Sequence, residues 1–129
     1  MLCKQKIKVL GTEYLLLIGD KNELQMSPEN VGECYNYTKE IKVSTEELKE
    51  HKKSVGGMYR ALLEVVIHEL THAFLYESGR TSDSCEEWIA EWLSVNFTKI
   101  NEVVNDISDE LSNVITKISD SIIGGSKNE

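Results

Sequence analysis

The sequence has few cysteines, arginines and prolines: three, two and one respectively. Cys3, Cys34 and Cys85 are odd in number and form no CxxC pair, so neither a disulfide framework nor a cysteine zinc site is predicted. Free thiols are typical of proteins in a reducing compartment. We therefore expect a cytoplasmic protein.

Basic clusters and long apolar runs are also absent. The formal net charge is −8, and Arg60 and Arg80 stand outside any basic cluster. Because phosphate binding needs clustered Lys and Arg, this charge argues against nucleic acid as a partner. The longest apolar stretch near the start, residues 15–18, is far shorter than the roughly 20 residues of a membrane span. The sequence thus predicts neither a membrane protein nor a signal peptide, and it leaves the oligomeric state open.

The length of 129 residues is typical of one domain, which we place at residues 1–123, followed by a disordered tail at 124–129. The first half alternates polar and apolar residues, as half-buried strands do. The predicted strands are residues 5–10, 13–18 and 34–43. Residues 19–33 are predicted to form a loop between the second strand and the third. The second half has the period of amphipathic helices. The fold class is therefore α+β, with a small N-terminal sheet and then helices.

Four helices are predicted in that second half. A short charged one begins at Ser44, and a longer one covers 58–78 and stops at Gly79. A third begins near Ser82, and the last covers 101–123. The apolar repeat of the last helix has two interpretations: a coiled-coil contact with a partner, or packing on its own domain. The second is favoured because the repeat is short and charges at the flanking positions are sparse.

The long helix contains the motif His68-Glu69-Leu70-Thr71-His72, or HExxH. Histidines four residues apart lie on one side of a helix, one turn apart, and can bind a single metal ion. Glu69 is rotated by about 100° from His68, so it can reach a metal-bound water while the metal stays out of its reach. We therefore predict a zinc site with His68 and His72 as ligands and Glu69 as general base. The alternative is a pair of surface histidines.

A catalytic zinc site needs a third protein ligand. His51 lies in a charged segment and is interpreted as a surface residue, which leaves carboxylates of the next helix. If two antiparallel helices meet near residue 81, Glu91 lies level with His72, and Glu87 lies one turn nearer the loop. Glu91 is therefore the predicted ligand, with Glu87 as the fallback; the other of the two would accept a hydrogen bond from a histidine ring.

The segments HELTHAFLYESG and EEWIAEWLS resemble the short zincin-like metallopeptidases of the gluzincin type. These are often encoded by bacterial phages and mobile elements and are distantly related to ImmA/IrrE-like peptidases, whose EAN-type signature this sequence does not share. The resemblance covers about residues 65–97. It implies that His68 and His72 bind zinc, that Glu69 is catalytic, and that Glu91 is a ligand. A metzincin is excluded because no third motif-linked histidine follows.

The sequence thus predicts a zinc metallopeptidase that acts on a peptide or protein substrate through a zinc-activated water. Tyr35, Tyr37 and Tyr76 are candidate donors to the oxyanion, although packing is the commoner role for each. One rival hypothesis is a zinc-binding module without peptidase activity that acts through protein contacts. The other is a small helical interaction protein whose HExxH arose by chance.

Overall fold

The computed structural model describes residues 1–51 and 54–127, with side chains for 1–48 and 54–120. It divides into two compact units, Met1–Val95 and Asn96–Glu129. The first contains a four-stranded sheet followed by helices, so the predicted α+β class is confirmed. Among the described residues no helix is both long enough and apolar enough to cross a membrane.

The sheet is built from two antiparallel hairpins joined side by side. Strands β1 (Cys3–Val9) and β2 (Thr12–Gly19) turn at Leu10 and Gly11, both at positive φ. Strands β3 (Gly32–Tyr35) and β4 (Glu40–Ser44) form the second hairpin. The strand order is β1-β2-β4-β3, with β2 and β4 parallel. Strand β3 is therefore an edge of the sheet.

The prediction of a single strand at 34–43 was wrong. The chain reverses between β3 and β4, where Lys39 adopts a left-handed conformation with φ of 60°. Strand-favouring Tyr, Ile and Val lie on both sides of this turn, and residues 34–43 contain no Gly or Pro, which is why the sequence did not reveal it. The predicted loop at 19–33 contains the short helix α1 (Lys21–Leu24), which Asp20 caps by accepting a hydrogen bond from the Glu23 backbone N–H.

Helix α2 (Val55–Glu77) contains the HExxH motif. Ser54 caps its start by accepting from the Gly57 backbone N–H, and Gly79, at φ of 86°, reverses the chain after its end, as predicted. The sequence period predicts an apolar face of α2 made of Tyr59, Leu63, Val66, Ile67, Leu70 and Phe74. Only part of that face meets the sheet: Val66 and Leu70 pack against the buried strand residues. Tyr59 and Phe74 are exposed, whereas Ala73 is fully buried with the strands. The apolar residues of α2 surround most of its circumference, so the sequence pattern specified its orientation poorly.

The core of the first unit joins this helix to the middle of the sheet. Val9, Tyr14, Ile41, Val43 and Ala73 form a buried cluster. The Tyr14 hydroxyl donates a hydrogen bond to Glu77 at 2.7 Å, and the Lys39 ammonium pairs with the same carboxylate. These contacts hold the last turn of α2 against the sheet.

Two further helices follow. The short α3 (Thr81–Ser84) leads into α4 (Glu87–Lys127), which is continuous where two helices were predicted. The physical reason is the absence of Gly and Pro from residues 87–123, so nothing in the sequence breaks the helix. The predicted disordered tail overlaps the end of α4, and residues 128–129 lie outside the described part of the chain.

Candidate metal centre

The two histidines of α2 lie one turn apart on the side of the helix that faces a cleft. Their ring centroids are 5.1 Å apart, tilted by 60°. His72 is buried, and the side chain of His68 is 21% exposed. The two rings therefore lie side by side one helical turn apart, as the HExxH spacing predicts.

His72 is held by the short helix α3 through two hydrogen bonds. Its Nδ1–H donates to the backbone carbonyl of Ser84, and the Ser84 hydroxyl donates to the His72 carbonyl at 2.7 Å. A proton on Nδ1 leaves Nε2 unprotonated in the neutral ring, with its lone pair directed away from α3. Such a backbone contact is a common way of orienting a metal-binding histidine.

Glu87, the first residue of α4, brings a carboxylate to both histidines. Its Oε2 lies 2.9 Å from His68 Nε2, and its Oε1 lies 3.3 Å from His72 Nε2. All three ligand atoms lie within 4.8 Å of one another. Two imidazoles and one carboxylate are a donor set of catalytic zinc sites, so these residues fit a zinc ion.

The predicted third ligand, Glu91, lies on the same face of α4 one turn further along. It lines the cleft with Glu87 but is not part of the three-residue group. The reason is the position of Ser84. Because Ser84 already contacts His72, the chain is level with that histidine well before residue 91. The geometry therefore favours the fallback, Glu87, and the choice between them stays a prediction.

Glu69, the predicted general base, is almost completely buried, with only 6% of its surface exposed. It lies against the edge strand β3, where a side-chain carbon at Gly32 would come within 2.8 Å of Glu69 Cγ and 2.9 Å of Val65 Cγ1. Only glycine at position 32 allows the strand to pass so close to the helix. Glu69 is not part of the metal group, as its predicted role requires.

Burial raises the pKa of Glu69 from 4.5 to about 7, and the nearby carboxylates of Glu87 and Glu33 contribute to this rise. The same surroundings raise the pKa of the Cys34 thiol to about 12, mainly by desolvation. Cys34 therefore stays a neutral thiol in the wall of the cleft and is a poor candidate for a nucleophile.

The cleft has a volume of about 870 Å³ and an acidic wall. Its lining contains no Lys or Arg among the described residues, but it includes six glutamates: Glu29, Glu33, Glu64, Glu69, Glu87 and Glu91. A cleft lined by charge of one sign attracts ligands of the opposite sign. Cationic ligands are therefore favoured.

Of the three candidate tyrosines, Tyr35 alone lines the cleft. Its hydroxyl donates to Glu33 at 2.8 Å. Tyr37 and Tyr76 instead contact each other edge to face, with ring centroids 6.3 Å apart. The side chain of His51 lies outside the described residues.

Two residues of the centre were not found from the sequence, Gly32 and Ser84. Ser84 orients the His72 ring through its backbone carbonyl, a group that every residue has. The residue type at position 84 therefore does not indicate this role. Gly32 lies in a stretch rich in turn-forming residues, and its close approach to Glu69 depends on tertiary packing.

Comparison with known proteins found no match to any family model, curated protein or solved structure.

The raised pKa of Glu69 predicts a pH-dependent cost in stability for the metal-free protein. A carboxyl whose pKa is higher in the folded state does not lower the free energy of unfolding below about pH 4.5. The loss of stability grows as the pH rises to about 7 and is constant above that pH. Metal-free Glu69→Gln should therefore be more stable than wild type by up to about 3 kcal/mol at pH 8 and by little at pH 4. Urea unfolding with a chelator present at both pH values measures the difference. Glu64→Gln, on the same helix and cleft, is the matched control, and equal stability of Glu69→Gln and wild type at pH 8 would contradict the prediction.

The second prediction concerns the third ligand. Glu87→Ala should weaken zinc binding by more than about 100-fold, since it removes a donor, whereas Glu91→Ala should weaken it by at most about 10- to 100-fold. Competition with a chelator of known zinc affinity measures both variants of the untagged protein. Strong loss from Glu91→Ala with zinc retained by Glu87→Ala would make Glu91 the ligand, as the sequence predicts.

Proposed function

We propose that this protein is a zinc-dependent metallopeptidase in which His68, His72 and Glu87 bind the ion and Glu69 is the general base. The observation that supports this most strongly is the convergence of both Nε2 atoms on the Glu87 carboxylate, with Glu69 beside them in the same cleft. The three ligand atoms lie within 4.8 Å of one another, close enough to bind a single ion.

The proposed reaction is hydrolysis of a peptide bond. When bound, zinc would supply a Lewis acid that polarises the scissile carbonyl and makes water more acidic. Glu69 takes one proton from the attacking water at a carboxylate oxygen, while the water oxygen forms the new C–O bond. Glu69 then gives that proton to the amine nitrogen as the C–N bond breaks. Its burial suits this role because a desolvated carboxylate is a stronger base than a solvated one.

The other residues of the centre position these groups. Ser84 holds the His72 ring in one orientation, and Gly32 allows the edge strand to lie against Glu69. The acidic wall is expected to favour peptides that carry Lys or Arg. A test library should therefore include basic, neutral and acidic peptides.

A second candidate function is a zinc-binding module that does not cleave peptides. One observation favours it: the Tyr35 hydroxyl, which lines the cleft, is already bound to Glu33. A donor to the oxyanion has to be available where the charge develops. The two functions share the metal site and differ only in turnover.

The deciding experiment is a peptide-library digest with zinc-loaded wild type, Glu69→Gln and Glu64→Gln, all purified without a histidine tag. Glu69→Gln should keep about one zinc per chain and lose about 100- to 10,000-fold in cleavage rate, since it removes the base and no ligand. Glu64→Gln makes the same chemical change in the same cleft and should stay active. Mass spectrometry of the products and metal analysis of each protein provide the readouts.

Four outcomes contradict parts of the proposal. Loss of zinc from Glu69→Gln would make Glu69 a ligand. Full activity of that variant would rule out the proposed mechanism. Zinc-loaded wild type that cleaves nothing would support the non-catalytic module, and wild type that binds no zinc would exclude both.

A further inference from the structure

The second unit presents a stripe of exposed apolar side chains along α4. Their spacing alternates between three and four residues from residue 97 to 118. Each is between 44% and 53% exposed, which is unusual for so many large apolar groups in line. The stripe consists of Phe97, Ile100, Val104, Ile107, Leu111, Val114 and Ile118.

The alternating spacing is a heptad repeat. Phe97, Val104, Leu111 and Ile118 occupy the a positions, and Ile100, Ile107 and Val114 occupy the d positions. A period of 3.5 residues keeps such a stripe facing one partner helix over the roughly 33 Å that 22 residues span. The stripe therefore fits another helix better than it fits an irregular surface.

The charges along the helix are placed so that identical copies can meet. The whole chain carries −8, so two copies would repel if acidic residues bordered the stripe. Glu102, Asp106, Asp109 and Asp120 instead lie at the outer c and f positions.

The flanking e and g positions carry one acidic and one basic residue between 101 and 117. They are Asn101, Val103, Ser108, Glu110, Ile115 and Lys117. In coiled coils that select a different partner, charges at these positions set the choice. Here the flanks are nearly neutral, and Val103 and Ile115 widen the apolar surface. An identical helix has the same repeat length, and its nearly neutral flanks do not repel those of the first copy.

We propose that α4 pairs with α4 of a second copy of this chain, as a coiled coil through residues 97–118. Helices of this kind are marginal in water alone and gain their stability by packing an apolar face. Pairing would bury the a and d side chains of both helices against each other and remove them from water.

The test is the mass of the full-length protein in solution over a wide range of concentration, by sedimentation equilibrium. Wild type should reach the mass of two 14.6 kDa chains. Ile107→Lys puts a charge in the centre of both stripes and should weaken the dimer by about 100-fold or more. Ser112→Lys adds the same charge on the outer face of the same helix and should remain dimeric.

Near-ultraviolet circular dichroism from the tyrosines and tryptophans, all of which lie in the first unit, checks that this unit is folded in every variant. A wild type that stays monomeric at high concentration would overturn the proposal. So would an Ile107→Lys protein that dimerises as well as wild type. A mass of three or four chains would overturn the two-copy form.

Discussion

The candidate centre depends on the pair of hydrogen bonds between His72 and Ser84. One bond orients the imidazole and leaves its Nε2 available; the other ties α3 to the backbone of α2. Together they return the chain to the level of the histidines only twelve residues after His72. The first turn of α4 then starts beside the motif, and its first carboxylate, Glu87, meets both rings. The contact between α3 and α2 thus determines which glutamate lies beside the two histidines.

The centre places the buried carboxylate of Glu69 close to two other carboxylates. Glu69 is buried beside Glu87 and Glu33, and its pKa rises to about 7 as a result. A protein selected for stability alone would place an apolar side chain there, because a buried carboxylate without a cationic partner is costly. A bound cation would offset that cost, since it neutralises the same cluster. Strain of this kind is typical of functional sites, and it accords with the proposed zinc site.

The two units differ in how their apolar residues are used. The first encloses a core and a cleft within 95 residues. The second is the helical continuation of α4, with an apolar stripe that remains exposed. The proposed peptidase site and the proposed dimer rest on separate residues, so either can fail without the other. From the sequence, the sparse flanking charges favour packing of the last helix on its own domain over a coiled coil. For two identical helices, however, sparse flanking charges avoid repulsion between like charges.

The sequence by itself determined the α+β class, the stop of α2 at Gly79 and the HExxH geometry, because each depends on local spacing or backbone conformation. It did not determine that 34–43 is a hairpin, which face of α2 meets the sheet, or that Glu87 stands nearest the histidines. Neither Gly nor Pro marks the turn at Lys39, and apolar residues cover most of the circumference of α2. The position of Glu87 depends on the two hydrogen bonds between Ser84 and His72, and only packing decides that a serine at position 84 reaches that histidine. Those features depend on how the segments pair and pack in three dimensions, and only the tertiary structure decided them.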